Sequence, residues 1–286
     1  MSDFVQQNAS PTEFNSSDSW VILTPIELSI KRKIESVGVP LKDWNIQINY
    51  GIKTGFNDAF IVTTEIRDQI LANCKDDEER ERTTELIRPI LRGRDIKRYG
   101  YEWAGLYLIA TFPSRHYDIE EYPAVKEYLL SFGMERLEQT GKEHFINGQK
   151  VKARKKTNNK WFETQDSISY WDDFSKPKIV YQEICRGGCG FAIDKHGYMI
   201  GNTAYILTAD APDIYNNLLE FLNSPYALYQ LDQISTKFDE TGWRWLRQCI
   251  EQIRMPVDTS DWLKEFNFSE DEKLFITQRY SRFHLD

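Results

Sequence analysis

The sequence predicts an α+β protein with a mixed or antiparallel central sheet, helices packed around it and a C-terminal helical segment. Segments with apolar residues at every second position are interleaved with segments of helical spacing, without a regular strand–helix–strand rhythm. The chain has 286 residues, of which 41% are hydrophobic, so it is long enough to bury a substantial core. These observations favour a globular protein over a disordered one.

The first predicted helix lies in "TPIELSIKRKIESVGVP". Thr24 can cap this helix, Pro25 takes the first helical position, and Glu27 completes a capping box. Isoleucine side chains at helical spacing then form one apolar face, and Gly38 followed by Pro40 is predicted to end the helix.

The next segments alternate between extended and helical patterns. In "DWNIQINYGIKTGFNDAFIV" the spacing predicts a strand, a turn from Gly51 to Gly55 and a second strand from Ala59 to Val62, as a hairpin or as strand, loop and strand. The charged segment "TEIRDQILANCKDDEERERTTEL" predicts a helix, and "GLYLIATF" predicts a short buried strand. Helical spacing returns in "YPAVKEYLLSFGMERLEQTG".

Further strands and helices are predicted in the second half of the chain. The segments "KPKIVYQEI" and "NTAYILTA" predict strands around a glycine-rich turn, "CRGGCGF". In "DIYNNLLEFLNSPYALYQLDQIS", Pro225 is predicted to start a second helix rather than to kink the first. Ser269 and Glu272 form a capping box at the start of the last helix.

These elements predict three parts of the chain: a flexible tail or linker stub over 1–19, a main domain over 20–256 and a C-terminal helical segment over 257–286. The N-terminus lacks the basic-then-apolar layout of a secretory signal, and the four cysteines show no dense pairing pattern. No apolar run approaches the roughly 18 residues of a membrane span. We therefore expect a cytoplasmic protein with no membrane partner.

Several segments partly match catalytic or metal-binding motifs. "LNSPYA" resembles the Asn-Pro-Pro-Tyr box of adenine methyltransferases, but Ser224 replaces the first proline and no cofactor-binding turn precedes it, so we interpret it as a junction between helices. In "GIKTG", Ile52 stands where a phosphate-binding loop requires glycine. Cys185 and Cys189 lack the second cysteine pair of a zinc site, and "DEK" lies in a helix cap. We therefore predict no catalytic residue and no metal site.

Two basic segments stand out against a formal net charge of -8: "ELIRPILRGRDIKRYGYEW", and a run from Lys150 to Lys160 that contains no acidic residue. An acidic protein keeps such clusters either as a solvated, locally paired surface or as a binding site for an anion. Lysine and arginine neutralise phosphates, arginine can donate twice to guanine, and asparagine can bind the edge of adenine. The residues alone leave both interpretations open.

A family resemblance favours the second interpretation. The ordered segments "DWNIQINYGIKTGFNDAFIV", "IRPILRGRDIKRY", "LYLIATFP", "KPKIVYQEI", "LLEFLNSPYA" and "IEQIRMP" resemble the TaqI-like C-terminal specificity domain of type II restriction and modification enzymes. The resemblance runs from about Trp20 to Pro256. In these enzymes a target recognition domain follows an adenine-specific DNA methyltransferase, often with a nuclease. The resemblance implies that this chain reads a short sequence in double-stranded DNA.

The chain departs from the full enzymes because it has no recognisable catalytic half. We expect it to be a fragment of a longer enzyme or a separate specificity subunit, with the methyltransferase domain, alone or together with a nuclease, supplied upstream or in trans. S-adenosylmethionine is then expected on that separate domain, and no cofactor on this chain. The alternatives are that the chain retains methyltransferase or nuclease activity, or that it is a protein interaction module with solvated basic loops.

The candidate DNA-contacting residues are the cations and amides of the basic segments and of the glycine-rich turn. They are Arg92, Arg94, Lys152, Arg154, Lys155, Lys156, Asn158, Asn159, Lys160, Arg186 and Lys195. We expect them to form one positive face, with Asp95 pairing internally with a neighbouring arginine. Lys53, Thr54 and Asn57 are weaker candidates, because "GIKTGFND" can equally serve backbone geometry.

Overall fold

The computed structural model describes residues 23–146, 148–240 and 242–283, and its mixture of helices and sheets confirms the predicted α+β class. The predicted tail over 1–19 lies outside the described residues. The α-helices are α1 (Pro25–Val37), α2 (Asn57–Phe60), α3 (Thr64–Ala72), α4 (Asp77–Leu86), α5 (Pro123–Leu130), α6 (Met134–Leu137), α7 (Tyr215–Leu222), α8 (Pro225–Ile234), α9 (Arg247–Ile250), α10 (Trp262–Glu265) and α11 (Glu270–Arg279).

The β-strands are short, and several short 3₁₀ turns connect the elements. The strands are β1 (Gly38–Pro40), β2 (Ile46–Tyr50), β3 (Ile61–Thr63), β4 (Ile87–Leu91), β5 (Ile96–Lys97), β6 (Gly100–Tyr101), β7 (Leu106–Ile109), β8 (Glu143–Ile146), β9 (Gln149–Lys152), β10 (Lys178–Gln182), β11 (Ile184–Cys185), β12 (Phe191–Asp194), β13 (Met199–Ile200), β14 (Ala204–Ala209), β15 (Trp243–Arg244) and β16 (Arg254–Pro256).

The described residues fall into two compact units. The larger unit contains 47–185 and 190–215, and the smaller unit contains 23–46, 186–189 and 216–283. This division differs from the predicted boundary after residue 256, because the helices near the C-terminus share a unit with α1. The region from 257 onward is nevertheless helical, as predicted, through α10 and α11.

The larger unit is built on two four-stranded sheets, ordered β12-β10-β14-β2 and β13-β4-β7-β3. In the first sheet β10 is antiparallel to both neighbours, with Ile179 opposite Ile193 and Leu207. In the second sheet β13 runs parallel to β4, with Met199 opposite Ile90, while β7 is antiparallel to β4 and β3. The sheets are therefore mixed and antiparallel, as the sequence predicts.

One apolar core contains residues from both sheets of the larger unit. Val180, Ala192 and Ile206 are neighbours across three strands of the first sheet and are fully buried. Leu108 and Ile90 of the second sheet belong to the same cluster and are also fully buried. The short strands are thus stabilised mainly by apolar burial, which contributes about 25 cal/mol per Å² of apolar surface.

Two local predictions in this unit require correction. Ala59 and Phe60, predicted as part of a strand, belong to the short helix α2, and only Ile61–Thr63 are extended. Strands β2 and β3 then enter different sheets, so they form no hairpin. The charged helix predicted after Thr63 is two helices, because Asp76 caps α4 with a hydrogen bond from Glu79 N. A capping residue inside a helical pattern is a start signal.

The smaller unit begins and ends with helices that have the predicted caps. Thr24 and Glu27 form the capping box of α1, and Ser269 and Glu272 form that of α11. Strand β1 pairs with β16 in antiparallel register, Gly38 opposite Pro256. Among the described residues, no helix is both long enough and apolar enough to cross a bilayer.

Candidate nucleic-acid interface

The basic loop, residues 150–160, starts in a β-hairpin and continues as irregular chain. Strands β8 and β9 pair in antiparallel register, so Lys150 and Lys152 lie on the second strand of this hairpin rather than in a loop. Beyond β9 the chain has no regular secondary structure up to residue 160. Side-chain contacts with backbone carbonyls therefore determine its shape.

Arg154 holds the loop from within. Its side chain is 4% exposed, and its guanidinium group donates to four backbone carbonyl oxygens. Nε donates to Leu137 O at 2.8 Å, Nη1 donates to Thr54 O at 2.9 Å and to Glu163 O at 2.7 Å, and Nη2 donates to Trp161 O. These bonds occupy the guanidinium group in a buried setting in the absence of DNA, and a direct contact of Arg154 with DNA stays a prediction.

Burial shifts the protonation equilibrium of this arginine without removing its charge. Desolvation lowers the pKa of Arg154 to about 10, and the carboxylate of Glu163 opposes that shift. The group is therefore still positive at neutral pH, and four carbonyl dipoles stabilise it. Gly55, at φ +77°, lies against the arginine side chain, since a Cβ there would be 3.2 Å from Arg154 Cδ.

Gln139 and Asn159 provide a second set of contacts, which connect the basic loop to the chain before and after it. Gln139 Nε2 donates to the carbonyls of Lys160 and Glu163, both at 3.0 Å, and its Oε1 accepts from Thr157 Oγ1 at 2.8 Å. Asn159 Nδ2 donates to two backbone carbonyls in the chain just after the loop. The side-chain nitrogen of Asn159 is thus bonded to the chain that follows the loop, and its expected contact with a base stays a prediction.

The remaining candidates of the loop extend into solvent. Lys152, Lys155, Lys156, Asn158 and Lys160 are all exposed. The backbone of Lys160 is fixed, since its N–H donates to Glu163 Oε2 at 2.7 Å. The loop therefore presents ammonium groups and one carboxamide on a chain held by its own buried polar contacts.

The turn between β4 and β5 carries the second cluster of candidates. Arg92 forms an ion pair with Asp95, with Nη2 2.7 Å from Oδ1. This is the internal pair expected between Asp95 and a neighbouring arginine. The hydrogen bonds that Arg92 donates to the Asp95 carboxylate raise the pKa of Arg92. Arg94 is exposed, and Lys97 Nζ donates to its backbone carbonyl at 2.8 Å. Arg92 therefore mainly stabilises the turn, and Arg94 is available to solvent.

Gly93 is required in this turn by close approach rather than by a positive φ. A Cβ at this position would be 2.5 Å from Thr203 O, and the Gly93 N–H donates to Thr203 Oγ1 at 2.9 Å. Any larger residue would push this turn away from Thr203, which lies in the turn between β13 and β14. The glycine of "LRGRD" thus fixes the position from which Arg94 projects.

Arg186 and Lys195 lie in different units and are described separately. Arg186 belongs to the smaller unit, where its Nε is 2.9 Å from Asp239 Oδ2 and its guanidinium lies over the ring of Phe238. Lys195 belongs to the larger unit and is exposed directly after β12. The positive face expected to include Arg186 stays a prediction.

The turn "GIKTG" supports the loop through its backbone. Thr54 is 1% exposed, its carbonyl accepts from Arg154, and its hydroxyl donates to Asn57 Oδ1 at 2.7 Å. Lys53 is exposed, and its Nζ lies 4.7 Å from the centre of the Tyr50 ring. These contacts agree with the alternative that this turn serves backbone geometry.

Sequence reasoning missed a buried ion pair between strands β10 and β12 of the first sheet. Lys178 and Asp194 both have fully buried side chains, and Lys178 Nζ is 2.6 Å from Asp194 Oδ2. Burial lowers the pKa of Lys178, while the carboxylate opposes that shift. Asp194 also accepts from the N–H groups of His196 and Tyr198, so the pair fixes the turn that carries Lys195. The sequence signal for this pair is the lysine that begins the apolar strand "KIVY", since a lysine in a buried strand requires an acidic partner.

The segments that partly match catalytic motifs form helix caps or contribute to the buried interior. Ser224 caps α8 by accepting from Ala227 N, and Pro225 takes the first helical position, which confirms the predicted junction. Cys185 and Cys189 are buried thiols. Within residues 23–146, 148–240 and 242–283, no three His, Cys, Asp or Glu side chains are grouped to hold a metal ion.

Comparisons with known proteins agree with the resemblance. The family model of the TaqI-like C-terminal specificity domain matches residues 88–254. The structure is similar to that of the type IIG restriction endonuclease BpuSI, with a TM-score of 0.52, 12% identity and 91% of this chain covered. It is also similar to the type IIL restriction-modification enzyme MmeI in complex with DNA, with a TM-score of 0.51, 12% identity and 85% covered.

The chain spans about a third of the length of these two enzymes, 32% in each case. At 12% identity the two structures show a shared fold. No curated protein matches the chain.

Proposed function

Because the chain belongs to the TaqI-like C-terminal specificity domain family, we propose that it reads a short sequence in duplex DNA for a restriction-modification enzyme. The observation that carries this proposal is the family match over 88–254, which is more than half of the chain. The fold shared with BpuSI and MmeI supports it.

The geometry of the basic loop supports binding to a polyanion. Arg154, Gln139 and Asn159 hold the loop through buried or half-buried hydrogen bonds, while the lysines point outward. A loop that is already ordered loses less conformational entropy on binding than a flexible one. Exposed lysines can then neutralise phosphates, and Asn158 can reach a base edge.

The net charge of -8 does not exclude this function. At physiological ionic strength charges are screened beyond about 8 Å, so the nearest cations control contact with a phosphate. The acidic runs "KDDEERE" and "SEDE" lie in or beside α4 and α11, away from the basic loop in sequence. Local cations therefore outweigh the overall charge at the proposed interface.

The chemistry is proposed to belong to another domain. An adenine-specific methyltransferase domain, joined upstream or bound in trans and acting alone or with a nuclease, would hold S-adenosylmethionine and modify the sequence that this chain selects. The similarity covers 32% of BpuSI and of MmeI, so most of each of those enzymes lies outside the shared fold.

Selection from a random duplex pool tests the reading function. We expect the chain to enrich one short sequence, and its affinity to fall steeply with salt. The double variant Lys155→Gln/Lys156→Gln should lower the salt slope by about one unit per lost phosphate contact. Asn158→Ala should change the selected sequence more than the overall affinity.

The matched control is Lys31→Gln/Lys264→Gln, which removes two exposed lysines of the smaller unit. It should leave both salt slope and selected sequence unchanged. Binding without any sequence preference, lost at moderate salt, would contradict the proposal and favour a protein interaction module. Binding of S-adenosylmethionine by the isolated chain, measured by calorimetry, would favour retained methyltransferase activity.

A further inference from the structure

The β8–β9 hairpin exposes an aromatic side chain. Phe145 is 77% exposed, more than any other large apolar residue in the described part of the chain. Ile146, the next residue, is 36% exposed. Burial of apolar surface stabilises a fold, so the exposed ring of Phe145 lacks a stabilisation that a buried phenylalanine would provide.

The two faces of the hairpin have different surroundings. Phe145 lies opposite Lys150 in the antiparallel register, and His144 lies opposite Val151. His144 and Val151 are half-buried, whereas Phe145 and Lys150 are exposed. Successive side chains on a strand point to opposite faces, so the phenylalanine occupies the solvent face of the hairpin.

The charge around Phe145 favours a polyanionic partner. On the same face Lys150 Nζ pairs with Glu143 Oε2 at 2.8 Å, which neutralises the acidic residue of the hairpin. Lys142, Lys152 and Lys155 remain exposed at the base of the hairpin. An exposed apolar side chain on a hairpin whose unpaired charges are lysines fits a nucleic acid better than an apolar protein surface, since phosphates attract lysines and bases can stack on the ring.

We propose that Phe145 is an apolar wedge that enters the minor groove of duplex DNA and partly unstacks one base step. This inference rests on the proposed function, because it requires the chain to bind duplex DNA. Proteins that distort DNA use phenylalanine or isoleucine in this way and recover the cost of unstacking through additional contacts. The lysines of the hairpin and of the basic loop provide those contacts to the flanking phosphates.

The test uses the full 286-residue chain and the duplex that it selects from a random pool. Fluorescence anisotropy across a series of salt concentrations measures affinity and salt slope. Phe145→Ala should weaken binding about tenfold with an unchanged slope, because the lost contact is uncharged. Phe145→Trp should retain the affinity. Permanganate oxidation should detect an unstacked thymine in the wild-type complex but not with Phe145→Ala.

Val257→Ala is the matched control, since Val257 is 74% exposed and lies in the smaller unit. It should bind like the wild type. If the wild type binds and Phe145→Ala retains both its affinity and its thymine reactivity, the wedge is overturned while the proposed function stands. If wild-type chain shows no sequence-dependent binding, the proposed function itself fails. Loss of a dimer in sedimentation velocity with Phe145→Ala, at unchanged DNA affinity, would instead make the hairpin an interface between copies.

Discussion

Arg154 and Lys155 are adjacent in sequence and carry the same charge, but their environments differ. The arginine is 4% exposed and donates to four carbonyls, whereas the lysine is exposed. Arginine suits the interior position because its planar fork of donors can serve several acceptors at once. The density of basic residues in a segment therefore does not indicate how many of them are available to DNA.

Arg154→Met should destabilise the larger unit by about 3 kcal/mol or more, because it leaves several buried carbonyl oxygens without donors. Lys155→Met is the control, and its effect on the free energy of unfolding should be within about 0.5 kcal/mol. Urea denaturation of both variants measures the difference. If Arg154→Met is as stable as the wild type and loses only DNA affinity, Arg154 turns outward in the complex and its scaffold role fails.

Helix caps are the elements that sequence reasoning located best. Thr24 and Ser269, the two predicted caps, each accept a hydrogen bond from the backbone N–H three residues later, so the signal is local. The Pro225 junction was predicted for the same reason. The helix α2 was missed because four residues cannot display a helical period, and the apolar pair in "DAFIV" fits a strand equally well.

Substitutions at the junction between α7 and α8 should lower the stability of the chain and leave catalysis by the enzyme unchanged. Tyr226 is 8% exposed, and its ring stacks on Phe268 and meets Trp262 edge to face. Tyr226→Ala should cost about 3 kcal/mol, and Tyr226→Phe, which keeps the ring, should cost less than about 1.5 kcal/mol. Asn223 is fully buried, so Asn223→Ala should also lower stability.

Thermal denaturation of the chain, followed by a methylation assay with the cognate methyltransferase domain, checks this prediction. Each variant that remains folded should support methylation at the wild-type rate. Loss of methylation by Asn223→Ala, with folding and DNA affinity intact, would show that "LNSPYA" acts as a methyltransferase box after all.

At the scale of the whole chain, sequence predicted the class of fold but not its long-range pairings. Strand β1 pairs with β16, more than 200 residues later, and three residues in each strand give too short a pattern to specify a partner. The candidate site was found as a segment for the same reason that caps were found, since the basic run is contiguous. The burial of Arg154 depends on carbonyls from Thr54 and Leu137, which the order of residues alone does not bring together.

Glu272 joins the two ends of the described chain. Its side chain is 4% exposed and accepts from Ser29 Oγ and Lys33 Nζ of α1, each at 2.6 Å. Burial opposes ionisation, but the hydrogen bonds from Lys33, Ser29 and the Ser269 backbone outweigh it and lower the pKa of Glu272 below its ordinary value of 4.5. A carboxyl group with a lower pKa in the folded chain stabilises the fold above its unfolded pKa, and this stabilisation is lost as the pH falls through the folded pKa.

Glu272→Gln should therefore lower the free energy of unfolding of the smaller unit by about 1.5–3 kcal/mol at neutral pH, the contribution of hydrogen bonds to a charged group. The gap between wild type and variant should narrow as the pH falls from 4.5 through the lower pKa of the folded carboxyl group, because the unfolded chain binds the proton first and the folded carboxylate only at lower pH. Urea denaturation over this pH range measures both curves. Glu270→Gln is the control, since Glu270 lies in the same helical turn with an 89% exposed side chain. If the free energies of unfolding of wild type and Glu272→Gln change with pH in parallel, ionisation of Glu272 does not contribute to the stability of the fold.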